Sequence, residues 1–197
     1  MIDDGLTFHS HIDTLSKKIS RSVGVIYKMS HYVPSKTLLN LYNALVNSNL
    51  SYGVTCWGGS SSAHIRRLCS LQRRVVNILP QIHGKCNFST YDILKFDDLF
   101  KYACCSKFFK CFILGQHDYF SININSLLPT HGYQTRHRTD GHLNLPFFRK
   151  SRTQRSFYYN SAKCWNELPP ALTSIRSLGK FKTEYKKLLV NNYVVPS

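Results

Sequence analysis

The chain has 197 residues, of which 43% are hydrophobic, so it can bury a core in one or two domains and is not a disordered tail. Lysine and arginine total 26 against 10 aspartates and glutamates, and the resulting net charge of +16 favours a polyanionic partner, nucleic acid ahead of anionic membrane. The apolar runs are shorter than a membrane span and the first residues do not resemble a signal peptide. We therefore expect a soluble protein of the nucleus or cytoplasm with no membrane partner.

Three amphipathic helices are predicted in the first 80 residues. Apolar residues between positions 12 and 26 recur three and four apart, which predicts a helix that ends before Pro34. A second helix is expected from about Ser35 to the turn at 51–53, and a third over about 62–79.

The second half of the chain predicts fewer helices. Residues 97–115 form a fourth helical pattern, dense in aromatic side chains and therefore expected at the centre of a core. Residues 119–166 lose the helical period, and alternation at 142–145 followed by the aromatic run 157–159 predicts an open loop and a short β-hairpin there. A final helix should begin near Ser177, whose hydroxyl can cap it.

The predicted fold is mainly α and has two parts. Residues 1–117 are expected to form a helical bundle. Residues 118–197 are expected to hold a basic loop, the short β-hairpin and the C-terminal helix.

Positive charge is concentrated in the predicted first and third helices. No acidic residue occurs between Asp13 and Asp92, so the lysines and arginines there lack local ion-pair partners and are free for phosphates. Arginines seven positions apart on the third helix lie one above the other, two turns along the same face. The candidate phosphate-binding residues are Lys17, Lys18, Arg21, Arg66, Arg67, Arg73 and Arg74.

A second basic segment spans residues 133–138 in the predicted loop. Arg136 and Arg138 alternate with hydroxyl and imidazole side chains near Tyr133, a composition that suits phosphate contacts and base stacking. An irregular surface loop would have the same composition, and both interpretations stay open.

No catalytic residue, metal ligand or cofactor site is predicted. Asp3 and Asp4 could suggest a polymerase metal pair, but the only nearby acid is Asp13 and no supporting strand hairpin is present. The spacing of the cysteines at 104, 105 and 111 and of His117 fits no zinc motif. The seven cysteines are an odd number without repeat spacing, so we expect reduced thiols that pack as small hydrophobic groups.

Several segments, in order, resemble the C-terminal part of reverse transcriptases from non-LTR retrotransposons of the jockey-like and related groups. They are GLTFHSHI (5–12), SKKISRSVGVIYKMSHYVP (16–34), LLNLYNALVNSNLSYGVTCWG (38–58), IRRLCSLQRRVVNIL (65–79), YQTRHR (133–138), RSFYYNSAKCWNELP (155–169) and SIRSLGKFKTEYKKLL (174–189). The resemblance covers most of the chain.

The resemblance implies a helical thumb, which in these polymerases follows the palm and grips the template and primer duplex. In the family, Asp3 and Asp4 match the end of a strand leaving the palm, and the carboxylates that bind Mg²⁺ lie upstream. We therefore expect a fragment of an RNA-directed DNA polymerase that lacks the palm catalytic site and the endonuclease domain.

The expected residual role is sequence-independent binding of RNA, DNA or an RNA–DNA hybrid. Two alternatives stay open: an interaction piece that docks on the palm of a full-length reverse transcriptase, and a relic with no function. Tyr52, Trp57 and Trp165 have apolar neighbours and are expected to pack in the core rather than stack on bases.

Overall fold

The computed structural model describes residues 7–80, 87–115, 142–145 and 147–193, and all regular structure in these ranges is helical. The fold is therefore mainly α, as predicted. The helices are α1 (His9–Met29), α2 (Ser35–Tyr42), α3 (Ser48–Ser51), α4 (Val54–Trp57), α5 (Ser62–Ile78), α6 (Asn87–Thr90), α7 (Phe96–Phe112), α8 (Ser151–Gln154), α9 (Phe157–Asn166), α10 (Pro170–Thr173) and α11 (Leu178–Asn191). A π-helical turn, Asn43–Asn47, connects α2 to α3. Within the described ranges, no helix has the length and hydropathy needed to cross a bilayer.

The β-hairpin prediction is wrong where the structure can be compared with it. The aromatic run 157–159 opens α9, because the Ser156 hydroxyl accepts a hydrogen bond from the Tyr159 amide and caps the helix. Residues 142–145 form no strand: the amide and carbonyl of Leu143 bond to the side chain of Asn166, at 2.8 and 2.9 Å. The loop prediction is also wrong at Ser151–Gln154, which forms the helix α8. Of the predicted segment 119–166, residues 119–141 and 146 lie outside the described part.

The described residues fall into two compact units, one within Met1–Phe100 and Lys187–Ser197, the other within Lys101–Lys186. The domain boundary near residue 117 stays a prediction, because residues 116–141 lie outside the described ranges.

Two long parallel helices, α1 and α5, form the framework of the first unit. His9 stacks on His64 with ring centroids 4.1 Å apart, and Asp13 lies 3.3 Å from Arg67, so the two helices run side by side in the same direction. Their apolar stripes are buried in an aliphatic core. The core residues that they contribute are Ile12, Leu15, Ile19, Val23, Ile26, Ile65, Leu68, Val75 and Val76.

One buried amide crosslinks this first unit. The side-chain nitrogen of Gln72 donates to the Tyr42 hydroxyl at 3.0 Å and to the Leu94 carbonyl at 2.9 Å. These two bonds connect α5 to α2 and to the segment before α7, and they give the buried Gln72 nitrogen and Tyr42 hydroxyl hydrogen-bond partners. Burial raises the pKa of Tyr42 to about 12, with the Gln72 hydrogen bond acting in the opposite direction.

The turn between α3 and α4 separates a buried aromatic residue from an exposed one. Trp57 is buried as predicted, and its ring nitrogen donates to the Tyr52 carbonyl at 2.9 Å. The packing prediction is wrong for Tyr52, which is 79% exposed because it lies in the turn that Gly53 completes with a φ of +59°. Gly58 has no room for a side chain: a Cβ there would collide with the Phe100 ring and the Val54 carbonyl.

Aromatic residues and cysteines form the core of the second unit. Phe109, Trp165 and Phe181 surround one another with ring centroids 4.9 to 6.3 Å apart. Trp165 is thus buried as predicted. The expected packing of the cysteines is confirmed for four side chains buried here, Cys104, Cys105, Cys111 and Cys164. The same prediction is wrong for Cys56 of the first unit, which is exposed on the short helix α4.

Candidate nucleic-acid interface

All seven candidate cations of the first and third predicted helices are exposed on α1 and α5. On α1, the buried stripe centres on Ile19, and at 100° per residue Lys17, Arg21 and Lys28 project from the opposite side. They therefore face solvent as one row along the helix. Packing of the apolar stripe fixes the direction of this row, because the helix cannot rotate without exposing its core residues.

On α5, two of the four arginines are turned toward α1. Arg67 reaches Asp13 of α1, and Arg74 lines a groove formed together with Ser20, Gly24 and Tyr27. The two arginines are seven residues apart, about 10 Å along the axis. We define the basic face as the surface that carries Lys17, Arg21 and Lys28 of α1 and Arg67 and Arg74 of α5.

The other three candidate cations project to different sides. Arg66 and Arg73 lie about 100° around α5 from Arg67 and Arg74, respectively, on the flank away from α1. Arg66 donates a long hydrogen bond, 3.4 Å, to the Ser62 hydroxyl of its own helix. Lys18 lies on the corresponding outer flank of α1. The structure thus places the four arginines of α5 in two rows, Arg67 with Arg74 beside α1 and Arg66 with Arg73 on the other flank.

One carboxylate interrupts the basic face. Asp13 accepts from Arg67 at 3.3 Å, and both side chains are about half exposed. In the described ranges, Lys17, Arg21, Lys28 and Arg74 have no such acidic partner. Among the residues that the structure describes, four of the five cations of the basic face are therefore unpaired and can bind phosphate oxygens, and the fifth is shared with a carboxylate.

The groove between α1 and α5 is the concave part of the basic face. Its volume is about 360 Å³, and Ser20, Val23, Gly24, Tyr27, Arg74 and Ile78 line it. The groove is open to solvent at Gly24, because a Cβ added at this position would have no neighbour within 4 Å. Tyr27 and Gly24 were not among the residues predicted from sequence.

Several sequence-predicted sites cannot be placed. Arg136, Arg138, Asp3, Asp4 and His117 all lie outside the described residues. Arg136 and Arg138 therefore stay predictions from composition alone.

The described residues offer no assembled metal site, since no three histidine, cysteine or acidic side chains within them converge. Cys69, on α5, is half-buried, and desolvation with the nearby Asp97 raises its pKa to about 11. The thiol is therefore protonated at neutral pH and a weak nucleophile. The chemistry that this surface supports is electrostatic contact with anions.

Comparisons of the chain with protein-family models, curated proteins and solved structures find no match.

Proposed function

We propose that the chain binds nucleic acid through the basic face, by contacts to the sugar–phosphate backbone that do not depend on base sequence. The observation that carries this proposal is the pairing of two parallel helices whose cations face solvent. Lys17, Arg21 and Arg74 have no acidic partner in the described ranges, although each helix buries an apolar stripe. Solvation of the helices alone would be served equally well by mixed charges.

The spacing of the cations suits a polyanion better than a single small anion. Lys17 and Arg21 are one helical turn apart, about 6 Å, and Lys28 follows about 10 Å further along α1. Arg67 and Arg74 repeat the longer interval on α5. Charges distributed along two helices can bind successive phosphates of one strand, and long exposed side chains make such contacts without reading bases.

The family resemblance adds a more specific proposal. If the chain is the thumb of a retrotransposon reverse transcriptase, the bound nucleic acid is the RNA–DNA hybrid or DNA duplex of template and primer. Nucleotide addition and its Mg²⁺ ions would then belong to the palm of the polymerase, and the thumb contributes grip on the duplex. The net charge of +16 supports the duplex-binding part of this proposal.

Matched sets of charge-neutralising substitutions test the location of the interface. Lys17→Gln, Arg21→Gln and Arg74→Gln together remove three cations from the basic face. We expect weaker binding to duplexes of any sequence and a slope of log affinity against log salt that is smaller by about 2 to 3. The measurement is fluorescence anisotropy with labelled duplexes of two unrelated sequences.

The control removes the same charge from the second unit: Arg149→Gln, Lys150→Gln and Arg176→Gln, three exposed residues. This variant has the same net charge as the first and is expected to keep more of the salt slope. Equal losses in the two variants would mean that binding follows total charge, which contradicts the assignment of the basic face.

A further inference from the structure

The C-terminal end of α1 exposes aromatic side chains beside the basic face. Tyr27 is 57% exposed and Tyr32, in the turn that follows α1, is 83% exposed. His31 lies between them in sequence, and its ring meets Tyr27 edge-on with centroids 5.6 Å apart. Large aromatic residues usually bury most of their area, so two exposed rings and an imidazole within six residues form a distinct surface. We call these three residues the aromatic patch.

The backbone holds the aromatic patch in place. The Tyr32 amide donates to the Met29 carbonyl at 2.9 Å, and the next amide, of Val33, donates to the same carbonyl at 3.1 Å. The Ser30 hydroxyl donates to the Tyr27 carbonyl at 2.7 Å. A side chain on an ordered turn loses less conformational freedom on binding than one on a loose loop.

Three cations lie close to the aromatic patch, one in the groove that Tyr27 lines and two along the chain. Arg74 lines the same groove as Tyr27, Lys28 follows Tyr27 directly, and Lys36 is the second residue of α2, four residues after Tyr32. Both lysines are exposed. Rings flanked by cations are the arrangement with which proteins bind single strands, since every base has a face that can stack and every nucleotide has a phosphate.

We propose that the aromatic patch binds unpaired nucleotides of a single-stranded RNA or DNA, with bases stacked on Tyr27 and Tyr32 and phosphates on Arg74, Lys28 and Lys36. This inference rests on the proposed function and adds a preference for a strand end or overhang. The bases of a duplex stack on each other and present their edges in the grooves, so their faces cannot reach these rings. The basic face binds duplex backbone, and the aromatic patch extends it to an unpaired strand.

The test separates stacking from phosphate contacts by using two strands with the same phosphates. One probe is a fluorescein-labelled oligothymidine of about 12 nucleotides, a length typical of a single-strand site, and the other is the abasic strand of equal length. Substituting Tyr27→Ala and Tyr32→Ala together should weaken oligothymidine binding about 10-fold or more, because both rings on which bases would stack are removed. Binding of the abasic strand should not change.

Two control variants complete this experiment. Tyr27→Phe with Tyr32→Phe keeps both rings and should retain oligothymidine binding. Tyr52→Ala removes a tyrosine of similar exposure, 79%. The Tyr52 carbonyl accepts a hydrogen bond from Trp57, whose ring centroid lies 5.5 Å from that of His11. His11 and Tyr27 are about 24 Å apart along α1, so Tyr52 lies far from the aromatic patch. The affinity of the Tyr52→Ala variant for both strands should equal that of the unsubstituted chain.

The outcomes distinguish this inference from the proposed function. Equal affinity of the alanine variant and the unsubstituted chain for oligothymidine overturns the stacking assignment, and so does an equal loss for the abasic strand. Either result leaves salt-dependent duplex binding by the basic face intact. If the unsubstituted chain binds neither the abasic strand nor a duplex, the proposed function itself fails.

Discussion

The first unit builds its core from amphipathic helices, whereas the second builds it around a helix that is apolar on most sides. On α1 and α5, aliphatic residues occupy one stripe and the charged side chains occupy the rest. On the part of α7 that lies in the second unit, consecutive residues such as Phe108 and Phe109 are both buried, so residues on different sides of the helix face the core. A helix of the first kind keeps a solvent face available for ligands, and one of the second kind serves packing.

Because the second unit depends on aromatic packing, we expect the largest loss of stability when one of its buried aromatic residues is replaced. Phe109→Ala removes a ring that contacts Trp165 and Phe181 and should lower the free energy of unfolding by about 3 to 5 kcal/mol. Phe109→Leu, which leaves a smaller cavity, should cost less.

Each unit contains one of the two tryptophans, so fluorescence can follow each separately. In a Trp57→Phe variant, urea unfolding followed by Trp165 fluorescence measures how much stability the second unit loses on Phe109→Ala. A midpoint unchanged by Phe109→Ala would show that this aromatic cluster does not stabilise the second unit.

A smaller effect is expected from the buried hydroxyl of the first unit. The pKa of Tyr42 is about 12 in the folded chain, against an ordinary value near 10, because burial disfavours the charged form. The stability contributed by the neutral hydroxyl is therefore complete below pH 10 and is lost as the pH rises from 10 to about 12. This loss amounts to roughly 2 to 3 kcal/mol.

Tyr42→Phe isolates this contribution, since both chains share all other titrating groups. The difference in unfolding free energy between the original chain and the variant should shrink as pH is raised through this range, as measured by urea unfolding. A difference that stays constant from pH 9 to 12 would contradict the burial of Tyr42.

The two units also differ in how far the sequence predicts them. The spacing of apolar residues in α1 and α5 predicts the bounds of both helices to within a few residues, because each helix buries a single apolar stripe. The run 157–159 favours a strand by side-chain type, and only the capping hydrogen bond of Ser156 and the burial of Trp165 reveal the helix.

The sequence does not reveal contacts between segments that are far apart along the chain. Arg67 and Asp13 are 54 residues apart, so no local pattern signals that one carboxylate shares an arginine of the basic face. Tyr27 lies at the edge of the buried stripe of α1, and its exposure depends on the groove that α5 forms beside it.

The smallest effect on stability is expected for this exposed ion pair. Asp13→Asn should change the free energy of unfolding by less than about 1 kcal/mol, the usual range for surface pairs. It frees Arg67, so duplex binding should strengthen and the salt slope should rise by about 1. Anisotropy titrations at several salt concentrations provide the measurement, and Glu167→Gln, which breaks the exposed pair with Lys101, is the matched control. Weaker duplex binding by Asp13→Asn would remove Arg67 from the basic face.

The most direct test of the central claim is the binding of the unsubstituted chain to a labelled RNA–DNA hybrid duplex, followed by fluorescence anisotropy between about 50 and 200 mM salt. Contacts from the four cations of the basic face that are unpaired in the described ranges predict an affinity that falls steeply, with a slope of log affinity against log salt of about −3 to −4. Absence of binding by the folded chain, or an affinity that does not change with salt, would contradict backbone recognition by α1 and α5.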